Sequence, residues 1–312
     1  MNISRTGYAG TLALTGLAPL VWGSTYAITT EFLPADRPLF TALMRALPAG
    51  LLLLAVTRKL PQREWIWKAG ALGVLNIGAF FPLLFLAAYR LPGGVAAVLG
   101  AAAPLIALGL ATVALNEKIN ARKIAAAVIG MAGVALVVLR ASAALDTVGV
   151  IAGLLGATSM AAGTVMTKRW GRPEGVGPLA LTGWQLTAGG IMLLPLALLV
   201  EGMPPALTLT NVGGYLFLGL IGTAAAYAIW FRGLAKVNAT SVSFLGLLSP
   251  VSAAVIGWAA LGQALAPLQL LGMAIALGGT LLGQLATAPK AIAVTVTNDG
   301  AAQHGSNVKT AA

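Results

Sequence analysis

Phe81, Phe85 and Tyr89 stand four apart in an apolar run, so a helix carries all three on one face. A second run has Tyr227 and Phe231 four apart, with Trp230 beside them. Aromatic walls broken by a few hydroxyls and amides suit neutral amphiphilic solutes. Trp22, Phe80 and Phe244 complete the aromatic set, and Ser24, Tyr26, Asn76, Thr164 and Ser243 supply polar atoms. Further hydroxyls on the same segments are Thr25, Thr158, Ser159, Thr223 and Ser249. Hydroxyls in apolar helices commonly bond back to backbone or join helices, which weakens their individual case. Asn76 has a stronger one, because its amide needs partners for two donors and an acceptor.

Arg45 is the one charge inside an apolar run. Two roles are open to it: a structural residue whose long stem snorkels outward, or a captor of a substrate carboxylate. The absences are as informative. There is no cysteine, and the single histidine, His304, lies in a polar tail. All eight acids, Glu31, Asp36, Glu64, Glu117, Asp146, Glu174, Glu201 and Asp299, fall in loops, at segment ends or in that tail. No catalytic residue, metal ligand or cofactor site is assigned, because no nucleophile, acid–base pair or metal cluster exists at membrane depth. An enzyme is excluded on that ground, and the lack of a mid-membrane carboxylate disfavours proton-coupled export of cations.

The elements that must position these residues are membrane helices. Of 312 residues 58% are apolar and 9% charged, against about 25% charged in a soluble domain. Runs of about 20 apolar residues, the length needed to cross a bilayer, recur at 8–29, 38–57, 66–89, 92–115, 121–139, 147–167, 178–200, 211–233, 238–261 and 266–286. The expected fold is therefore all-α and integral to the membrane, with ten spans. The first run is too long for the apolar part of a signal peptide and reads as a span. Residues 1–7 form the N-terminus, 140–146 a central loop, and 287–312 a polar tail expected to be disordered.

The net charge of +11 would raise the question of nucleic acid in a soluble protein, but here it resides in short loops and reports topology. With the N-terminus inside, fifteen Lys and Arg fall on the inner side and three (Arg37, Arg90, Arg140) on the outer. Both termini are then cytoplasmic.

The chain also repeats itself. "GAAAPLIALGLATVALNEK" from Gly100 aligns with "GLLSPVSAAVIGWAALGQA" from Gly246, matching Pro104 to Pro250 and Glu117 to Gln263. "GALGVLNIGAFFPLLF" (70–85) aligns with "LFLGLIGTAAAYAIWF" (216–231). "LMRALPAG" (43–50) aligns with "GWQLTAGG" (183–190), setting Arg45 against Gln185. Residues 8–139 and 147–286 thus form two five-span copies, and an odd number of spans inverts the second. Pro82, Pro104, Pro250, Gly100 and Gly246 are the hinge or gate candidates, since a proline inside a span removes a backbone hydrogen bond.

Ten spans, the inverted repeat, "WGSTY", "ALMRALPAGLLLL" and "AAPLIALGLATVALNEK" resemble the drug/metabolite transporter superfamily in its ten-helix EamA-type branch. The chain is most similar there to the YddG-type exporters of aromatic and neutral amino acids. The resemblance implies a central cavity between spans 1, 3, 4 and 6, 8, 9, an outer scaffold of spans 5 and 10, and alternating access. It also implies a multi-pass protein of the bacterial inner membrane that exports small neutral metabolites. Lipophilic drugs or other small metabolites are the alternative cargo. Its partners are then a small-molecule substrate and the bilayer, not nucleic acid. A monomer is the expected state and a dimer the alternative, because Gly149-x3-Gly153 and Gly279-x3-Gly283 suit packing within one chain as well as between two.

Overall fold

A computed structural model describes residues 5–116, 121–139, 146–204, 206–234 and 245–287. Among the described residues the regular structure is all helical, with no strand. Seven helical stretches are long and apolar enough to cross a membrane: Gly10–Phe32, Pro38–Thr57, Arg63–Arg90, Gly93–Leu115, Thr147–Trp170, Pro178–Glu201 and Leu209–Gly233. Three more helices, α8 (Ala121–Leu139), α13 (Leu248–Leu261) and α14 (Pro267–Thr287), lie within the remaining expected segments or one residue beyond.

Several stretches are interrupted, and the interruptions have local causes. The first divides at Ser24 into α1 (Arg5–Gly23) and α2 (Thr25–Phe32). There both the amide and the hydroxyl of Ser24 donate to the Val21 carbonyl, at 3.1 and 2.7 Å. The second stretch is α3 (Pro38–Thr57). The third runs from α4 (Arg63–Gly73) through a π segment, Val74–Ala79, into α5 (Phe80–Arg90). Pro82 cannot donate to Gly78 and its ring crowds that carbonyl, which is the usual origin of such a slip in the ladder.

The fourth stretch breaks at Ala101–Ala102 between α6 (Gly93–Gly100) and α7 (Ala103–Leu115). Pro104 occupies the first turn of α7, where a missing N–H costs nothing. A turn at Leu247 similarly precedes α13, which carries Pro250. With α8 counted in chain order as the fifth stretch, the sixth and seventh are α9 (Thr147–Trp170) and α10 (Pro178–Leu196), the latter ending in a π segment, Ala197–Glu201. The eighth runs from α11 (Leu209–Leu216) through a π segment, Phe217–Ala225, into α12 (Ala226–Leu234). There the Thr223 hydroxyl donates to the Leu218 carbonyl, five residues back, at 2.9 Å.

The packing partners define the architecture. α3 lies along α10, α8 along α14, and α6 against α13. α1 packs on α12 and α13, while α9 packs on α5, α6 and α7. The α8–α14 pair comes together backbone to backbone. A Cβ on Gly133 would collide with the Ala276 amide and meet the Gly272 carbonyl at 2.6 Å. Lipid tails are as apolar as leucine, so close backbone packing of this kind is what holds membrane helices together.

One end of the bundle is laced by polar contacts. The Glu201 carboxylate accepts from the Leu39 and Phe40 amides at 2.7 and 2.8 Å, capping α3, and Arg37 donates to the Glu201 and Gly202 carbonyls. At the same end Gln263 accepts from the Gly93 amide at 3.0 Å and Arg90 pairs with Asp146 at 3.0 Å. The opposite end is held by aromatic groups. Trp184 donates to the Lys59 carbonyl at 2.7 Å and packs on Trp65, and Trp67 meets Trp170 edge-on.

Candidate functional site

Two helix junctions bring the predicted residues together. In the first, Arg45 on α3 crosses to the π segment of the eighth stretch. Its Nε donates to the Thr223 hydroxyl at 3.0 Å, and its Nη2 approaches the Gly222 carbonyl at 3.5 Å. The guanidinium carbon lies 4.6 Å from the centre of the Phe81 ring and 5.8 Å from that of Phe85. Arg45 is 5% exposed, so the snorkelling expectation fails: the side chain turns into the bundle, not out of it.

The same Gly222 carbonyl accepts from Trp22 Nε1 at 3.0 Å. A π turn loosens the regular ladder, leaving a carbonyl able to serve partners on two neighbouring helices. Trp22 then faces Tyr227 and Trp230, with ring centres 5.5 and 5.3 Å away, and Tyr227 stacks on Phe231 at 5.9 Å. These four aromatic residues are half-buried. The same two helices, α1 and α12, line a cleft of about 190 Å³ at Gly10, Thr11, Leu14, Thr15, Ile229, Arg232 and Gly233.

The second junction is its counterpart. Asn76, on the π segment of the third stretch, donates to Gln185 Oε1 on α10 at 2.8 Å and lies 3.5 Å from the Thr167 hydroxyl. Gly163 on α9 forms the wall behind the amide, where a Cβ would overlap the Asn76 side chain. Ser159 donates to the Leu75 carbonyl of the same π segment at 2.7 Å. Arg45 and Gln185 therefore do equivalent work, one charged and one neutral, each reaching the π segment of a facing helix.

Other predicted residues fall differently. Phe81 and Phe85 are fully buried packing residues, 1% and 0% exposed. Phe80 sits against Phe81. The Tyr89 hydroxyl is engaged by Thr41 at 3.1 Å and the Pro34 carbonyl at 2.9 Å. The i, i+4, i+8 stripe is thus a seam between helices, and the Arg45 guanidinium packs against two of its rings. Tyr26 is buried and lines a small cavity of about 10 Å³ with Gly93, Gly257 and Gln263, room for about one water. Thr164 does not join the site: it is exposed and its hydroxyl returns to the Met160 carbonyl at 2.8 Å. Ser24 bonds its own helix in the same way. Ser243 and Phe244 lie outside the described residues.

The hinge candidates coincide with real breaks. Pro82 follows a π segment, Gly100 and Pro104 flank the Ala101–Ala102 turn, and Gly246 and Pro250 flank the Leu247 turn. What sequence reasoning did not pair was Arg45 with Thr223 or Asn76 with Gln185. The signal was available, since the repeat alignment that sets Arg45 on Gln185 also sets Gly222 on Asn76.

Among the described residues no group of three His, Cys, Asp or Glu could hold a metal. A helical bundle with seven long apolar stretches and an interior of aromatic and hydrogen-bonding side chains is that of an integral membrane protein. The EamA-like transporter family model matches residues 10–139 and 147–283, and the chain belongs to this family. It is 47% identical over 256 residues to Protein PecM of Dickeya dadantii, covering 82% of this chain and 86% of that one. It is 28% identical to the uncharacterized transporter YwfM of Bacillus subtilis, covering 88% of this chain and 93% of that one. To the uncharacterized inner membrane transporter YedA of Escherichia coli K12 it is 29% identical, with 82% and 84% covered. A solved crystal structure at 19% identity superposes with a TM-score of 0.62 over 89% of this chain and 97% of that one, which speaks to the fold alone.

Proposed function

We propose that the protein is a ten-span, alternating-access carrier of the bacterial inner membrane that exports small neutral metabolites, chiefly amino acids including aromatic ones. The observation that carries this reading is the half-buried cluster of Trp22, Tyr227, Trp230 and Phe231, set on the same two helices, α1 and α12, that line a cleft. Aromatic faces with one or two hydrogen-bonding edges bind planar amphiphilic solutes without demanding charge.

An inverted repeat is supported by three features. One family description covers both halves. The π segments Val74–Ala79 and Phe217–Ala225 fall at corresponding positions, as do the turns at Ala101–Ala102 and Leu247. The pairing of helices is also unchanged when the halves are exchanged: α1 on α12 and α13 mirrors α9 on α5 and α7. With both termini cytoplasmic, the Glu201 end faces outward and is closed, and the cleft at Gly10 and Arg232 opens inward. The breaks at the two proline-bearing helices are where hairpins 3–4 and 8–9 would flex.

The test is uptake into proteoliposomes of labelled phenylalanine, threonine and a lipophilic cation, with and without a pH gradient. Saturable movement of both amino acids without the gradient, reduced about tenfold by Trp22→Ala as expected for losing roughly 1.4 kcal/mol of contact, supports the reading. Movement of the cation alone, driven by protons, refutes it.

A further inference from the structure

We propose that Arg45 is the anchor for an anionic group of the transported molecule, so that this site takes small solutes bearing a carboxylate. The inference depends on the carrier reading for the route of access, and on Arg45 and its neighbours for its chemistry.

A guanidinium has five N–H donors and a full charge. Here Nε is taken by Thr223 and Nη2 has only the long approach to Gly222, while Nη1 is buried without a hydrogen-bond partner. Hydroxyl and carbonyl dipoles orient the group but do not neutralise it, and the Phe81 face does so only in part. Isolated buried charges are costly, and proteins normally supply a counter-ion. None is at hand. Every acid among the described residues stands in a loop or at a helix end, and the Glu201 carboxylate is held by the Leu39 and Phe40 amides.

The opposite junction sharpens the point. There a neutral Gln185 meets Asn76 and completes the same helix-to-π-segment bridge. Bridging the helices therefore needs no charge, and the charge at position 45 calls for another explanation. An incoming carboxylate supplies one, since its oxygens match the guanidinium edge in geometry and charge. Phosphate esters carry more charge than one guanidinium offsets. The surroundings fit a carboxylate borne on an apolar or aromatic body. Trp22 shares the Gly222 carbonyl with Arg45 and leads into the Tyr227–Trp230 cluster. Tyr26 and Tyr227 lie within electrostatic reach of the guanidinium. A lipophilic cation would meet repulsion at the same place.

The experiment is equilibrium binding to the full-length protein in nanodiscs, for the wild type, Arg45→Gln and Arg45→Lys. The probes are phenylalanine, its methyl ester and 3-phenylpropionate. Arg45→Gln copies the neutral residue of the other junction and can still reach Thr223, so it is expected to fold with an unfolding temperature no lower than that of the wild type. Phenylalanine and 3-phenylpropionate are expected to bind the wild type about 10- to 100-fold more tightly than the ester. That preference should vanish in Arg45→Gln and return in part in Arg45→Lys. Equal binding of acid and ester to the wild type, or a preference that survives Arg45→Gln, overturns the proposal while leaving an aromatic-solute carrier standing. Arg45-dependent binding of 3-phenylpropionate without phenylalanine upholds the anchor and removes the amino-acid reading. If no probe bearing a carboxylate binds the wild type, both fall.

Discussion

Replacing Asn76 by Leu, Gln185 by Met, and both together should give two destabilised single variants and a double variant close to wild type. The 2.8 Å bond from Asn76 Nδ2 to Gln185 Oε1 joins α10 to the π segment, and Gln185 is only 9% exposed. Removing one partner strands the other away from water, which costs about 1–3 kcal/mol, whereas replacing both by apolar groups of similar shape is nearly neutral. Pair couplings between membrane helices average about 0.6 kcal/mol and reach about 1.7, because the unfolded state in the membrane also finds partners. The Asn76 amide has the Gly163 wall on one side and only a long contact to Thr167 on another. Substitute partners are therefore scarce, and the coupling is expected between about 1 and 1.7 kcal/mol, in the upper part of that range.

Equilibrium unfolding of the four proteins in mixed micelles measures this directly. Any strain that Asn76→Leu introduces against Gly163 is common to two corners of the cycle and cancels. Additive behaviour, with a coupling under about 0.3 kcal/mol, would refute the claim that this amide pair is isolated from alternative partners.

Gly133→Val should separate α8 from α14, since even a Cβ collides with the Ala276 backbone. Loss of at least about 2 kcal/mol of stability, by the same unfolding assay, is expected from overpacking that only a backbone shift can relieve. Gly109→Val, which meets no neighbour within 4 Å, is the control expected to change little. The Asp146 carboxyl lies below its ordinary value of 3.8, chiefly through its bond from the Gly149 amide, which outweighs desolvation, with further lowering from Arg90. A lowered carboxyl contributes stability that is complete above the ordinary value and lost as pH falls through it toward the lowered one. Thermal unfolding between pH 6 and 2 should therefore show a step below about pH 4 that Asp146→Asn removes; an unchanged profile would refute this.

Much of the molecule was legible because apolar periodicity and length are local properties. The long spans emerged within one to three residues of their predicted limits, apart from the π-helical and broken interiors. Those interiors were harder, because a π segment depends on whether a neighbouring helix offers a donor to the loosened carbonyl. Trp22 does so at Gly222, as Ser159 does at Leu75. The prolines announced breaks, but not that the slip before Pro82 would be matched near Gly222, where the aligned residue is Ala228.

By itself the sequence determined that this chain is a helical membrane protein whose acids lie in loops, at segment ends or in the tail. It also singled out Arg45, since only an exceptional environment admits a charge to an apolar run. Which way that side chain turned was decided by tertiary packing alone. Snorkelling and burial are equally open to a long stem on an isolated helix. The choice arises only when Phe81, Thr223 and the Gly222 carbonyl, from two other stretches of the chain, form a pocket around the guanidinium. The same packing turned the aromatic stripe inward as a seam and left the Trp22 cluster half-buried, because a face of a helix acquires a role only from what is placed against it.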